Sequence, residues 1–369
     1  MKPYPPIGYS EYLRIPELLS LQKLRSEQLT NRQAHDEMLF IITHQTYELW
    51  FKQILTELDS VLAIFRQPRI DEVEMGTAVA RLQRITEIQK LLIQQISVLE
   101  TMTPLDFLDF RDMLYPASGF QSFQNRLIEN KLGLKPEQRL AFNSMPYHAY
   151  VGPKEQELLL STQNEESLFE LVDKWLARTP FLQTGELDFW THYRDAVERL
   201  LAEDLDVIRN HPQLSAEAKE QNVRELEATR ETFRSLFDRD RYEDLRKEGL
   251  FRFSYEAIHA ALLIQLYRNE PAFTLPFQLL TALQDIDELM TTWRYRHALM
   301  AHRMLGRKIG TGGSSGARYL KDATEKHRIF NDLFNLATFL VPRSRLPELP
   351  QSVREKLGFF YTAKAAGSN

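Results

Sequence analysis

The chain has 369 residues, 43% of them hydrophobic, with 46 Lys and Arg against 51 Asp and Glu and no cysteine. That length can bury a large core. The slight acidic balance gives no basic surface for nucleic acid, and no apolar run approaches the roughly 20 residues of a membrane span. The absence of cysteine excludes disulfides, thiolate haem ligands, iron–sulfur ligation and cysteine nucleophiles.

The first residues, 1–16, are proline-rich and irregular and carry Tyr9 and Tyr12. They show no apolar signal core, so a cytoplasmic protein is expected. A helix is expected over 17–28, a second over 34–66 and a third over 73–101. In the third, Val79, Leu82, Ile85, Leu92, Ile96 and Leu99 recur at three- and four-residue steps. Pro104 opens the next helix and Pro116 ends it, and another follows over 120–132. Residues 150–250 are dense in both charge signs, the pattern of solvated helices laced by i,i+4 pairs. They read as a smaller inserted helical subdomain between an N-terminal part, 1–149, and a C-terminal part, 251–369. Apolar helices return after 253, and a further helix is expected over Tyr319–Leu340. With no alternating strand or hairpin signal, the fold class is all-α, a helical bundle.

Three stretches carry residues of chemical interest. In WRYRHALMAHRMLGRKIGTGGSSG, residues 293–316, a helical run ends at Gly306 and a loop follows. Five of the 14 glycines fall between Gly306 and Gly316, which marks a sharp turn or a close approach to another group. At about 100° per residue, Ile286, Met290, Trp293, Met300, Ala301 and Met304 share the face of His297, and His302 points elsewhere. A buried neutral imidazole on such a stripe is either a core histidine bonded to a carbonyl or a haem ligand. The loop lacks the GK[ST] ending of a P-loop and the spacing of a dinucleotide site. In FIITHQTYELWF, Phe40, Tyr47 and Phe51 lie on the face of His44. HDE with a later histidine is not the H-E-x-x-H zinc pattern. In the third stretch Phe107 and Arg111 are one turn apart before PASG, 116–119. An arginine there either captures a carboxylate or pairs with Asp109 or Asp112 at the surface.

Residues 293–316, YLKDATEKHRIFNDLFNLATFLVPR, HDEMLFIITHQTYELWFKQILTELDSV and LETMTPLDFLDFRDMLYPASGFQSFQNRLIENKLG closely resemble segments of the tryptophan 2,3-dioxygenase family. The resemblance spans most of the chain. It implies a ferrous haem b with His297 as axial ligand. It implies a distal pocket lined by Phe40, Ile41, Ile42, Thr43 and His44, with His44 meeting the indole N–H of L-tryptophan. Arg111 would take the α-carboxylate, with Ser118 and Gly119 close by, and Phe107 would wall the indole. Some family members have tyrosine at the position of Phe107, so an indole–hydroxyl contact there is not available to this chain. Thr311 would contact the ammonium. Tyr9 and Tyr12 would reach a neighbouring subunit's site in a homotetramer, a dimer of dimers. The implied reaction adds O2 across the indole C2=C3 bond to give N-formyl-L-kynurenine, the first step of tryptophan degradation by the kynurenine pathway. A haem-binding sensor or carrier on the same scaffold, and a cofactor-free helical interaction protein, are the competing classes. The joint presence of Arg111, Thr311 and His44 argues against a sensor, which needs no amino-acid clamp.

Overall fold

The computed structural model describes residues 4–139, 146–179, 189–306, 308, 324 and 326–358. They form α-helices and short 3-10 turns, with no strand among them. None of these helices is long and apolar enough to cross a membrane. The chain divides into two compact units. One takes residues 1–59, 84–165 and 288–328; the other takes 60–83, 166–287 and 329–369.

Short helices open the first unit: α1 (Tyr9–Tyr12), α2 (Ile15–Leu18) and α3 (Arg25–Thr30). Two long helices follow, α4 (His35–Phe65) and α5 (Glu72–Leu99). Phe51, Ile54 and Leu58 are buried along α4, and Ile85, Ile88, Leu92, Ile96 and Leu99 along α5. These are the i+3 and i+4 steps that place apolar side chains on one face. A capping box starts α6 (Pro104–Arg111): the Thr103 hydroxyl accepts the Asp106 N–H, and the Asp106 carboxylate accepts the Thr103 N–H. Helix α7 (Phe123–Leu132) stops at Gly133, whose φ of 115° suits glycine.

The second unit contains α9 (Leu168–Ala177), α10 (Phe189–Asn210), α11 (Ala216–Ser235), α12 (Arg239–Lys247) and α13 (Tyr255–Leu266); α8 (Pro153–Asn164) belongs to the first. Helix α13 is buried almost all round, while α10 buries only the stripe of Phe189, Tyr193, Ala196, Val197 and Leu201. The charged stretch is thus helical with one solvated face, as its composition requires.

Helix α14 (Pro271–Leu305) carries His297 and ends at Gly306, which adopts φ 56° as its N–H bonds the His302 carbonyl at 2.8 Å. In the first unit it is held by a buried ionic cluster. The Glu129 carboxylate on α7 meets Arg126 at 3.0 Å, Arg139 at 2.6 Å and Arg294 at 2.9 Å. Burial alone would raise this carboxyl, and the three guanidinium charges more than offset it, holding it well below the usual range. Arg294 also donates to the His327 carbonyl, so α14 is pinned three residues before His297.

Two expected helices are corrected. The helix expected over 17–28 is two short ones, because the buried Glu37 carboxylate accepts the N–H groups of Arg25 (2.6 Å) and Ser26 (3.0 Å) and so starts α3 afresh. Of the helix expected over Tyr319–Leu340, the described residues Thr324 and Lys326 are helical, but the helix is broken at 327–330 and resumes only as a short α-helix at Asn331–Asn335 followed by a 3-10 turn at Leu336–Phe339. Just before it the N–H groups of Ile329 and Phe330 turn to the buried Asp287 carboxylate at 3.0 and 3.3 Å instead of to a helical carbonyl. The 120–132 helix opens as a 3-10 turn, Gly119–Gln121, with Ser122 as the cap of α7.

Candidate active site

Helix α4 places Phe40 and His44 one turn apart, their rings 4.0 Å between centroids. Phe40 stacks on Phe107 at 5.8 Å and meets the edge of Phe110 at 5.6 Å. Phe40 and Phe107, with Met300 of α14, pack on a buried cluster of Leu99, Met102, Phe110 and Met304. The apolar stripe that carries His297 therefore lies on the same aromatic wall. A second chain of rings runs from His297 to Trp293 (5.7 Å, stacked), and from Trp293 to Phe51 (6.0 Å) and Tyr47 (6.1 Å). Both chains meet on α4.

The two histidines differ in how they are held. His44 Nδ1 lies 2.7 Å from the Phe40 carbonyl. A carbonyl only accepts, so the neutral ring carries its proton on Nδ1 and leaves Nε2 as an acceptor. The ring keeps accessible surface although protein atoms crowd around it. That crowding lowers its pKa, against the opposing pull of the Phe40 carbonyl and the Glu48 charge. His297 is depressed to about 4 by burial, and a charge on His44 would press it the same way. Its Nδ1 is sealed from solvent and makes no hydrogen bond. Both rings are neutral near pH 7. His302 is exposed, as its place on the helix predicts.

Arg111 ends α6 with its side chain only 14% exposed, 3.6 Å from the carboxylate of Asp112, which is 92% exposed. It is thus neither a plain surface arginine nor tightly paired with Asp112. Ser118 caps the Gly119–Gln121 turn: its hydroxyl accepts from Phe120, and its N–H donates to the Gln121 side chain at 3.1 Å. A Cβ on Gly119 would meet open space. Of the residues between Phe40 and His44, Ile42 is exposed, and Thr43 is buried with its carbonyl accepting from Gln95 of α5. Tyr9 and Tyr12 are 78% and 71% exposed. Thr311 and the glycines at 310, 312, 313 and 316 lie outside the described residues.

Several residues of this wall were not singled out from sequence. Phe110 follows Phe107 by three positions, a spacing that signals a shared face. Glu48, one turn past His44, accepts from Ser122 and Gln124. The Glu129 cluster joins Glu129 to Arg294, 165 positions away, and has no local signature.

Fold and site together define a helical protein in which Phe40, Phe107 and Phe110 form an aromatic wall that carries His44, with a neutral His297 on the neighbouring stripe of α14 and a largely buried Arg111 at the end of α6. A sequence model of the tryptophan 2,3-dioxygenase family matches residues 6–340, and the chain belongs to that family. It is 56% identical over 358 residues to a tryptophan 2,3-dioxygenase of Bdellovibrio bacteriovorus, covering 97% of this chain and 99% of the relative. A second, from Alteromonas mediterranea, is 51% identical over 96% of this chain and 98% of its own. A third, from Mus musculus, is 47% identical over 98% of this chain and 88% of its own.

Proposed function

We propose that the protein adds both atoms of O2 across the indole C2=C3 bond of L-tryptophan, giving N-formyl-L-kynurenine, with one haem b per subunit held by His297. His297 fits an axial ligand, being neutral, sealed at Nδ1 and set in an apolar stripe. The haem, when bound, supplies the binding and activation of O2. The chain supplies position and a water-poor cleft. Arg111 takes the α-carboxylate, Phe40 and Phe107 flank the indole, and Ser118 and Gly119 border the substrate. Thr311 meets the ammonium. In this reading residues 1–149 and 251–369 supply every named site residue, the stretch 150–250 is a helical insertion, and the enzyme works in the cytoplasm.

The observation that carries this reading is the His44 tautomer. With Nδ1–H held by the Phe40 carbonyl, Nε2 is an acceptor aimed away from its own helix turn, and an indole N–H is a donor. His44 orients the ring rather than removing a proton. His44→Ala should keep its haem and lose one neutral hydrogen bond, worth roughly 0.5–1.5 kcal/mol or about two- to tenfold in kcat/KM. Complete loss of turnover with tryptophan still bound would make His44 an essential acid or base.

The reading includes a homotetramer, a dimer of dimers, in which Tyr9 and Tyr12 complete a neighbour's site. The exposed Tyr4, Ile7, Tyr9, Tyr12, Leu19 and Leu21 give the N-terminal segment an apolar surface suited to such a contact. Deleting residues 1–15 should weaken tryptophan binding and leave haem in place. Unchanged substrate affinity in the truncated protein would remove the segment from the site.

A further inference from the structure

Phe40, His44 and Glu48 follow one another at four-residue steps, so they lie along one stripe of α4. Beyond the two rings, the stripe ends in a carboxylate used on both oxygens. Oε1 accepts from the Ser122 hydroxyl at 2.7 Å, and Oε2 accepts from the Gln124 amide at 2.8 Å. The same amide donates to the backbone carbonyl of Glu48, also at 2.8 Å. Ser122 is a junction: it closes the Gly119–Gln121 turn through its N–H to Gly119, and its hydroxyl caps α7 by accepting from Asn125.

The segment from Arg111 to Ser122 is thus fixed at two ends. At its start, Phe110 is fully buried in the apolar cluster beneath Phe40 and Phe107. At its finish, Ser122 is tied to Glu48. Between them the backbone bonds run to near neighbours: Ala117 to Leu114 at 2.7 Å, and Gln121 to Ser118 at 2.9 Å. Those local bonds shape the turn; residues 112–114 also pack against α3 and residues 119–121 against 147–150, and the tie at Ser122 is the one that joins the segment to α4 next to His44. Ser118 and Gly119 are four and three residues before the tied end.

We propose that Glu48 is a positioning residue, tying the Ser118–Gly119 loop to the helix that carries Phe40 and His44 and so setting the width of the substrate cleft. This rests on the tryptophan reading above. A carboxylate suits the role because it accepts on both oxygens at once. An amide carries no charge and has a single acceptor oxygen, so if that oxygen keeps Gln124 the Ser122 hydroxyl must turn from donor to acceptor, and neither bond is charge-assisted.

The test is kcat and KM for L-tryptophan on the haem-loaded wild type, Glu48→Gln, Ser122→Ala and the double variant, with hydrogen exchange of residues 115–122 on the same proteins. A lost hydrogen bond to a charged group predicts roughly a tenfold rise in KM, with kcat within about twofold. The double variant should be no worse than the worse single one, because both cut the same tether. Exchange over 115–122 should quicken in Glu48→Gln while that of α5 does not. Unchanged KM, additive losses, or a fall confined to kcat would overturn the assignment. Should Glu48→Gln fail to fold, Ser122→Ala and Gln124→Ala must show the KM rise, and unchanged KM in both overturns it equally. Exchange reads the tether without turnover, so an unaltered rate overturns the proposal whatever the activity. A wild type that loads haem but leaves tryptophan untouched defeats the activity reading instead.

Discussion

His297→Ala is expected to purify without a haem absorption band, while His302→Ala keeps one. The reason lies in where the two rings point. His297 sits in the stripe with Trp293 and Met300, its Nδ1 sealed from water. His302, five residues on, is exposed. The same geometry gives a pH signature. Ligation needs the neutral ring, and burial holds His297 at about 4 instead of the ordinary 6.5. Haem should therefore stay bound as pH falls through 6.5 and be released only at or below about 4, because bound iron competes with the proton for the ring. In the haem-free protein the unfolded chain takes up this proton first, so the folded state loses stability as pH falls from about 6.5 towards 4 and is unaffected above that window. A normal Soret band in His297→Ala, followed by optical titration from pH 8 to 4, would send the ligand search elsewhere.

The second large effect concerns Arg111. If its largely buried guanidinium clamps the α-carboxylate, removing the guanidinium leaves the carboxylate without its charge partner, and removing the carboxylate forfeits the charge-assisted bond. That costs on the order of 2–5 kcal/mol, or about 30- to several-thousand-fold in kcat/KM. Tryptamine keeps the indole and ammonium but lacks the carboxylate, so it should be a very poor substrate of the wild type. Arg111→Ala should lose most activity on L-tryptophan and far less on tryptamine, which never used the guanidinium. Thr311→Ala should lose less than Arg111→Ala. Equal proportional losses on both substrates would mean that Arg111 holds the fold and not the substrate.

What sequence made legible, and what it did not, follows from the range of the interactions. Helices α4, α5 and α14 were readable because their apolar steps repeat over many turns, and so was the opposite facing of His297 and His302. The pairing of Phe40 with His44 and the stop at Gly306 are likewise local. The start at Arg25 and the break before Asn331 were hidden, because each depends on a buried carboxylate outside its own helix, Glu37 on the next helix for one and Asp287, 42 residues back, for the other. The role of Glu48 was hidden for the same reason, since its partners lie 74 and 76 residues away. On spacing alone His44 could be a core histidine or a site residue; its carbonyl partner makes it a fixed tautomer with one nitrogen left to accept.

The central claim is that this cleft directs both atoms of O2 into one indole. Haem-loaded, reduced wild-type protein should be given L-tryptophan under 18O2 and the product weighed by mass spectrometry. The expected product is N-formyl-L-kynurenine carrying two labelled oxygens. A product with one label or none, or tryptophan recovered unchanged by protein whose haem is intact, would contradict that claim.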